Sequence, residues 1–179
     1  TLEKIESYAF WGCTALQEIN LEECRRLQQI GDSAFEGCSA LNEVMLPLSI
    51  QKIGSAAFMG CSSLQRFGIP KSCVLEALPG HVLLGCVSLK AVDLPEGISA
   101  IGMSAFYGCQ GLTEITLPSS VTSIGGFAFS GCASLRALTI LAVRLSADPN
   151  MMKGLPPKTQ LVIPSDEVRS RVEALRKEE

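Results

Sequence analysis

Cysteine is the residue type with the widest chemistry in this sequence, since thiols form disulfides, bind zinc and act as nucleophiles. The chain contains eight cysteines among 179 residues. No two of them form a Cys-x-x-Cys pair, so the short ligand spacing of a zinc site is missing. We therefore predict no metal site. The positions are Cys13, Cys24, Cys38, Cys61, Cys73, Cys86, Cys109 and Cys132.

The single histidine, His81, is the other candidate for acid–base chemistry. Catalysis of that kind needs a positioned partner, and the sequence offers His81 no nearby acid–base companion. Serine and threonine concentrate in turn-like segments, and neither a phosphate-binding loop nor a Gly-x-Gly-x-x-Gly motif is present. We predict that the protein is not an enzyme and has neither catalytic residues nor cofactors.

Six of the cysteines follow a glycine and mark an internal repeat. They are separated by 25, 23, 25, 23 and 23 residues. Phenylalanine or leucine stands three residues before each of them, and leucine stands three residues after each. The consensus is Ile-Gly-x-x-Ala-Phe-x-Gly-Cys-x-x-Leu-x-x-Ile-x-Leu-Pro, followed by Val-x-x-Ile. The six copies predict a coil in which each copy makes one turn and buries its apolar side against its neighbours.

Each copy contains two extended pieces and a return side. The Leu-x-x-Ile-x-Leu segment alternates apolar and exposed positions with a period of two, as a half-buried strand requires. The proline that follows ends the strand because it has no N–H to donate. Val-x-x-Ile is a second, shorter extended piece. Ala-Phe-x-Gly-Cys is the return side, which glycine ends in a left-handed conformation.

Stacking places equivalent residues about 4.8 Å apart, so the six repeat cysteines are predicted to form a ladder. Parallel side chains do not suit a disulfide, and we interpret these thiols as buried, weakly donating apolar groups. Cys24 and Cys73 lie in the two lengthened turns, about 10 Å apart by the strand spacing, which is too far for a bridge. We expect both to be free, and cysteine usage does not decide the redox compartment.

The Ala-Phe-x-Gly-Cys core, repeated between Leu2 and Ile140, resembles the BspA-like (Treponema-type) leucine-rich repeats. The resemblance implies an α/β repeat solenoid, a right-handed coil with a parallel β-sheet on its concave face and a C-terminal strand–helix cap. It also implies a surface or secreted interaction protein, without pointing to one ligand. The fourth copy departs from the pattern with Val82 and Leu83 for alanine and phenylalanine, so we expect local repacking there.

Two regions are predicted along the chain. Residues 1–140 hold six repeats of 23–25 residues. No polar cap precedes Leu2-x-x-Ile5, so we expect further repeats upstream or a partner that covers this end. Residues 141–179 are predicted to form a C-terminal cap with a loop over 147–157, a strand over 161–164 and an amphipathic helix. Ser165 is the expected N-cap of that helix, and Val168, Val172 and Leu175 form its apolar stripe.

Composition narrows the classes of partner. The formal net charge is −3 and basic residues do not cluster, which argues against a nucleic-acid partner. No apolar run approaches the roughly 20 residues that cross a bilayer, and no signal-peptide pattern opens the sequence. Because the first residue is Thr1, we expect a processed product or a fragment, so the sequence leaves the localisation open.

Two columns of exposed strand positions are the main candidate binding surface. They are predicted to line the concave face, and such faces in solenoids bind extended partners. They hold no aromatic residue of the kind that anchors interfaces, and a solvated face without a ligand is the competing interpretation. The candidates are Glu18, Asn20, Glu43, Met45, Arg66, Asp93, Glu114, Thr116 and Thr139, alongside the small residues Gly68, Ala91 and Ala137.

An apolar column on the return side is the second candidate. Trp11, Met59, Leu84 and Tyr107 each follow the core position of their copy. An exposed apolar patch at this place would be a partner surface, and burial inside the fold is the alternative.

These patterns predict a non-catalytic protein-binding scaffold or recognition module. Its partner is expected to be another protein, with a glycan or other cell-surface ligand as the alternative class. A permanent structural subunit of a larger multiprotein assembly is the competing function. The apolar content of 47% and the charged content of 18% favour that second function, because obligate interfaces are more apolar than transient ones.

Overall fold

The computed structural model describes residues 2–177, in which the chain coils through seven turns of parallel strands and ends in one α-helix. A short 3-10 helix spans Leu21–Glu23. We number the turns 1 to 7 over residues 5–29, 30–52, 53–77, 78–100, 101–123, 124–146 and 147–163. The elements are β1 (Lys4–Ile5), β2 (Gln29–Ile30), β3 (Glu43–Met45), β4 (Lys52–Ile53), β5 (Arg66–Gly68), β6 (Ala77–Leu78), β7 (Ala91–Asp93), β8 (Ala100–Ile101), β9 (Glu114–Leu117), β10 (Ser123–Ile124), β11 (Ala137–Ile140), β12 (Ser146–Ala147), β13 (Gln160–Val162) and α1 (Asp166–Lys177).

Each full turn presents three sides, as the repeat predicts. The long-strand face is built from β3, β5, β7, β9, β11 and β13, and the short-strand face from β1 and the even-numbered strands. The Gly-Cys segments form the third side, here called the return face. The strands of each face pair in parallel with equivalent residues side by side, for example Val44 with Phe67 and Phe67 with Val92.

Neither strand face is one continuous sheet. The long-strand face divides into β3-β5-β7 and β9-β11-β13, so β7 and β9 are not paired. The short-strand face divides into β1-β2-β4 and β6-β8-β10-β12, so β4 and β6 are not paired. Both breaks border turn 4, the copy that departs from the consensus.

The core is the stack of apolar columns that the repeat predicts. The alanine, phenylalanine, cysteine and leucine of the consensus are fully buried through turns 2, 3, 5 and 6. Phe35 stacks on Phe10 at 4.9 Å and on Phe58 at 5.1 Å between ring centroids, and Phe106 stacks on Phe129 at 5.5 Å. Leu83 stands between the two groups, fully buried, so turn 4 divides the aromatic column into two stacks.

Hydrogen bonds between turns run in opposite directions on the return face and on the short-strand face. On the return face a turn donates to the following turn, as in Phe35 N–H to the Ala57 carbonyl at 2.7 Å. On the short-strand face a turn donates to the preceding one, as in Gly54 N–H to the Ile30 carbonyl at 2.8 Å. Where both faces are bonded, neighbouring turns are therefore held from both directions, which gives partners to backbone groups buried between them.

The glycine of the Ile-Gly position allows two turns to approach closely on the short-strand face. A Cβ built at Gly54 would fall inside van der Waals contact with the backbone of Gly31 and Asp32 in the preceding turn. Neither group can move without disturbing the ladder bond from Gly54 to Ile30. The consensus glycine is therefore required by space rather than by its dihedral angles.

Replacing Gly54 by alanine should destabilise the fold by about 1–3 kcal/mol, the usual cost of overpacking a filled interior. Urea unfolding followed by circular dichroism measures the loss. Gly97→Ala is the matched control, since its Cβ would meet backbone oxygens only at the ordinary distances of 3.7 and 3.8 Å. Equal stability of the two variants would contradict the close-approach argument.

The C-terminal region contains more regular structure than the sequence predicts. Residues 147–157, predicted as a loop, lie largely on the return side of turn 7. Gly154 has a φ of +70°, like the glycine of every other turn, and its carbonyl accepts the N–H of Gly131 at 3.1 Å. The repeat signature is missed because turn 7 has no Gly-Cys pair. The division of the chain at residue 140 stays a prediction.

The C-terminal helix covers the carbonyl groups of turn 7. Ser165 accepts the N–H of Val168 through its hydroxyl at 3.4 Å, and Val168 and Val172 are buried. Arg169 donates to the Ile163 carbonyl at 3.0 Å, and Arg176 donates to the carbonyls of Thr159 and Pro157 at 3.2 and 2.7 Å. Among residues 2–177, no helix is both long and apolar enough to cross a membrane.

Candidate functional site

The long-strand face brings the predicted column residues into register. Glu43 pairs with Arg66 and Arg66 with Ala91, while Met45 pairs with Gly68 and Gly68 with Asp93. In the second sheet Ala137 pairs with Glu114 and Thr139 with Thr116. The side chains are exposed or half-buried, as alternation along a strand requires. The face is thus a surface of two side-chain columns, interrupted once between turns 4 and 5.

Glu18 and Asn20 are wrongly predicted as strand residues. No strand forms at residues 17–20, although Asn42 still donates to the Gln17 carbonyl at 3.1 Å. The reason is local, because Asn20 has φ −92° and ψ 66° and leads directly into the 3-10 helix at Leu21. Both residues stay exposed beside β3, so they border the face without being part of its sheet.

A groove of about 400 Å³ lies at the turn 1 end of this face. Met45, one of its lining residues, extends over Gly68, since a Cβ at Gly68 would overlap the Met45 thioether. Arg66 forms an ion pair with Glu43 at 3.1 Å at its border. The groove is lined by Glu18, Ile19, Asn20, Glu22, Asn42, Glu43 and Met45.

A second groove, of about 430 Å³, lies at β7 and β9, which are adjacent but not paired. Leu94 is half-buried there, whereas its equivalents Leu46, Ile69, Leu117 and Ile140 are buried. The break therefore exposes apolar surface that a continuous sheet would cover. Its lining comprises Lys71, Ala91, Val92, Asp93, Leu94, Glu96, Glu114, Ile115, Thr116 and Pro118.

Carboxylates dominate the two grooves. Together they hold six acidic side chains and one lysine. Glu43 is engaged by Arg66, and within residues 2–177 the other five acids form no ion pair. Potentials of like charge in a concave site add, so the surface attracts cationic groups and repels anionic ones.

The return face exposes the apolar column only in part. Trp11 is 61% exposed and Tyr107 43%, while Met59 and Leu84 are half-buried. Sequence reasoning missed three neighbours that share the same side: Tyr8, Met103 and Phe127 are exposed as well. Their signal was their place at the two variable positions between Ile-Gly and Ala-Phe, although Ser33 and Ser104 at the second of these positions are buried.

His81 occupies a backbone position that recurs in turns 1 to 6. Its φ is +62°, a left-handed conformation shared by Tyr8, Ser33, Ala56, Ser104 and Phe127 at the equivalent places. Its N–H donates to the Met103 carbonyl at 2.9 Å. The residue therefore takes part in stacking two turns, and no acid–base partner for its side chain lies among the hydrogen bonds and ion pairs of the described residues.

The repeat thiols form a hydrogen-bonded ladder through the core. Each Sγ donates to the carbonyl of the core phenylalanine or leucine of the preceding turn, as in Cys61 to Phe35 and Cys86 to Phe58, both at 3.2 Å. Burial raises the pKa of Cys61 and of Cys132 to about 12, and raises those of Cys38, Cys86 and Cys109. Protonated, buried thiols are poor nucleophiles and poor metal ligands.

The remaining thiols differ from the ladder. Cys13, expected to be buried with its equivalents, is exposed; Cys24 is half-buried and Cys73 is buried. All eight are free. In the part of the chain that the structure describes, no three histidine, cysteine or acidic side chains come together in a geometry that could hold a metal ion.

Sequence comparison places these features among known repeats. The profile of the BspA type leucine-rich repeat region matches the chain in six copies, over residues 1–77 and 76–166. Among curated proteins, none matches the chain.

Three solved structures have a similar fold. The leucine-rich repeat protein of T. pallidum superposes with a TM-score of 0.62 at 29% identity, over 83% of this chain and 77% of its own. A leucine-rich cell surface protein of Faecalibacterium prausnitzii gives 0.60 at 34% identity, over 82% of this chain and 35% of its own. A leucine-rich repeat protein of Bacteroides ovatus gives 0.61 at 24% identity, over 91% and 47%. The chain spans less than half the length of the last two proteins.

Proposed function

Because the chain belongs to the BspA-type leucine-rich repeat family, we propose that it is a non-catalytic module that binds another protein through its long-strand face. Members of this repeat class commonly act as interaction modules. We propose further that the coil is right-handed and that the long-strand face is its concave side, the side on which solenoids usually present a binding surface. The two grooves beside the in-register columns, with five carboxylates that form no ion pair in the described chain, are the observation that carries the proposal.

The charge of the grooves specifies the kind of partner. A segment that enters them must neutralise the acids at Glu18, Glu22, Asp93 and Glu114, so it should carry lysine or arginine. Charge complementarity of this kind accelerates association and selects the partner more than it adds affinity. The likeness to a cell surface protein supports an extracellular or surface partner.

Charge reversal on the long-strand face should abolish most of the binding. The tagged chain is purified from its native source, its stoichiometric partner is identified, and both are titrated by calorimetry at two salt concentrations. Asp93→Lys combined with Glu114→Lys is expected to weaken binding by about tenfold or more and to reduce its salt dependence. Glu76→Lys with Glu173→Lys is the matched control, because both acids are exposed and lie elsewhere. Equal losses in the two pairs would contradict the assignment of the face.

A permanent structural subunit is the second candidate function, favoured by the exposed side chains of the return face. Tyr8, Trp11, Met103, Tyr107 and Phe127 are large and apolar and lie on one side. Surfaces of that kind mark partner interfaces. Sedimentation of the isolated chain separates the two functions: association at high concentration supports the subunit, and a stable monomer supports the recognition module.

A further inference from the structure

Turn 4 is attached differently to its two neighbours. Toward turn 3 it keeps the long-strand pairing of β5 with β7 but has no short-strand pairing, because β4 and β6 are separate. Toward turn 5 it keeps the short-strand pairing of β6 with β8 but has no long-strand pairing, because β7 and β9 lie side by side without a hydrogen-bonded ladder. Each of its two interfaces therefore lacks one of the two strand ladders, and the missing ladders are on different faces.

The sequence supplies the cause of the first break. Gly31, Gly54, Gly102 and Gly125 stand at equivalent places, and each donates its N–H to the preceding turn at 2.8 Å. Pro79 occupies this place in turn 4 and has no N–H to donate. The Ile53 carbonyl thus loses the bond that its equivalents Ile30 and Ile101 receive.

The second break also removes a bond that other turns make. Lys90 donates to the Gln65 carbonyl at 3.0 Å, and Arg136 donates to the Thr113 carbonyl at 2.8 Å. Between these two pairs, in the described chain, no hydrogen bond joins the N–H of Thr113 to the carbonyl of Lys90. The half-exposed Leu94 marks the same opening in the core.

The core and the return face behave differently at this point. The aromatic column is interrupted, since Leu83 separates Phe58 from Phe106. The return face, in contrast, is continuous: Phe58 donates to Val82 and Leu83 to Ala105, both at 3.0 Å. An unbroken side opposite two broken sides is the arrangement of a hinge, in which the return face ties the halves while the strand faces open and close.

We infer that turn 4 is a hinge that divides the solenoid into two cooperative blocks, residues 5–77 and 101–163. Bending at the hinge changes the width of the groove between β7 and β9. Stability in a repeat array depends on nearest-neighbour interfaces, so cooperativity is weakest where an interface lacks part of its ladder. The hinge follows from the backbone pairing alone and holds whether or not the long-strand face binds a partner.

The thiol ladder provides one reporter in each of turns 2 to 6, because Cys38, Cys61, Cys86, Cys109 and Cys132 are all buried. The full chain is pulsed with iodoacetamide across a urea series, and alkylation of each cysteine is measured by mass spectrometry of peptides. Cys38 and Cys61 should share one midpoint and Cys109 and Cys132 another, separated by roughly 0.5 M urea or more. One common midpoint for all five thiols would overturn the hinge.

Pro79→Gly restores the consensus residue and with it the missing donor. We expect this variant to bring the two midpoints at least halfway together. Pro157→Gly is the control, since Pro157 is exposed in turn 7, outside both breaks, and it should leave the separation unchanged. An unchanged separation in Pro79→Gly would overturn the role given to the proline.

Native-state hydrogen exchange tests the breaks without denaturant. The amides of Glu76 and Thr113 are expected to exchange at least about tenfold faster than their equivalents Thr122 and Arg136. The latter two donate to backbone carbonyls of the preceding turn at 2.8 Å. Equal protection within each pair would show that both ladders are closed in solution and would overturn the hinge.

Discussion

Raising the pH from about 8 to about 10.5 is expected to unfold this protein, because the unfolded chain releases thiol protons that the folded chain holds. Burial raises the pKa of the five ladder thiols, to about 12 for Cys61 and Cys132. A thiol of an unfolded chain ionises near pH 8.5. The buried, protonated thiols therefore contribute their full stabilisation below that pH. This contribution is lost progressively as the pH rises toward the raised pKa of the thiols in the folded state.

The size of the effect follows from proton linkage. One thiol that is protonated in the folded state and ionised in the unfolded state costs about 1.4 kcal/mol of unfolding free energy per pH unit. Five of them together cost about 7 kcal/mol per pH unit at the steepest point, against a typical total stability of about 5–15 kcal/mol. A pH roughly one to two units above the pKa of the thiols in the unfolded chain should therefore be enough to unfold the protein.

The measurement is the urea midpoint and slope at several pH values between about 8 and 10.5, under reducing and anaerobic conditions. Cys86→Ala should make the decline with pH shallower by about 1.4 kcal/mol per unit, even though it lowers stability at neutral pH. Cys13→Ala is the matched control, since an exposed thiol changes its surroundings little on unfolding, and the decline should stay as in the parent. A free energy of unfolding that is flat across this pH range would refute the buried-thiol account.

Truncating the aromatic column is expected to give the largest loss at neutral pH. Phe58 is fully buried, stacks on Phe35 at 5.1 Å and meets Phe67 edge-on at 5.0 Å. Phe58→Ala removes both contacts and leaves a cavity, at a cost of about 3–5 kcal/mol. On the return face the backbone around Phe58 is bonded to both neighbouring turns, since Phe35 donates to Ala57 and Phe58 donates to Val82, so it has little freedom to collapse into the space.

Chemical denaturation of Phe58→Ala and Phe127→Ala tests this claim. Phe127 is 36% exposed and keeps its left-handed backbone with either residue, so its truncation should cost less than about 1 kcal/mol. Comparable losses in the two variants would mean that the aromatic stack contributes little beyond ordinary surface packing.

Most of the fold was predictable from the periodic part of the sequence. The coincidence of the Phe35, Cys38 and Leu41 positions in every copy fixed the core columns, because only one stacking register buries all of them together. The resemblance to BspA-type repeats, drawn from the same positions, is confirmed by the profile match. Turn 7 was not recognised, because Gly154 keeps the backbone turn of the other copies while the cysteine that marks them is missing.

For the candidate surface, the sequence predicted which residues belong to the two columns and in what order they follow one another. The alternation that buries Val44 also exposes Glu43 and Met45, so membership of the face follows from a period of two. Whether that face binds a partner is a matter for the charge-reversal experiment. The exposure of Trp11 and the half-burial of Leu84 could not be read from the sequence, since both occupy the same position of the repeat.

The sequence by itself determined the repeat register, the core and the left-handed glycine of the six Gly-Cys copies, because each of these is a local property copied in every repeat. It also contained the cause of one break, Pro79, whose missing N–H can be read from its residue type. The tertiary structure alone decided which ladders close, where the two grooves open and which thiols are shielded. The physical reason is that these properties depend on how two neighbouring turns pack on each other. A hydrogen bond between turns needs both turns in place, and so does the burial of a thiol such as Cys86, so neither can be read from one sequence segment alone.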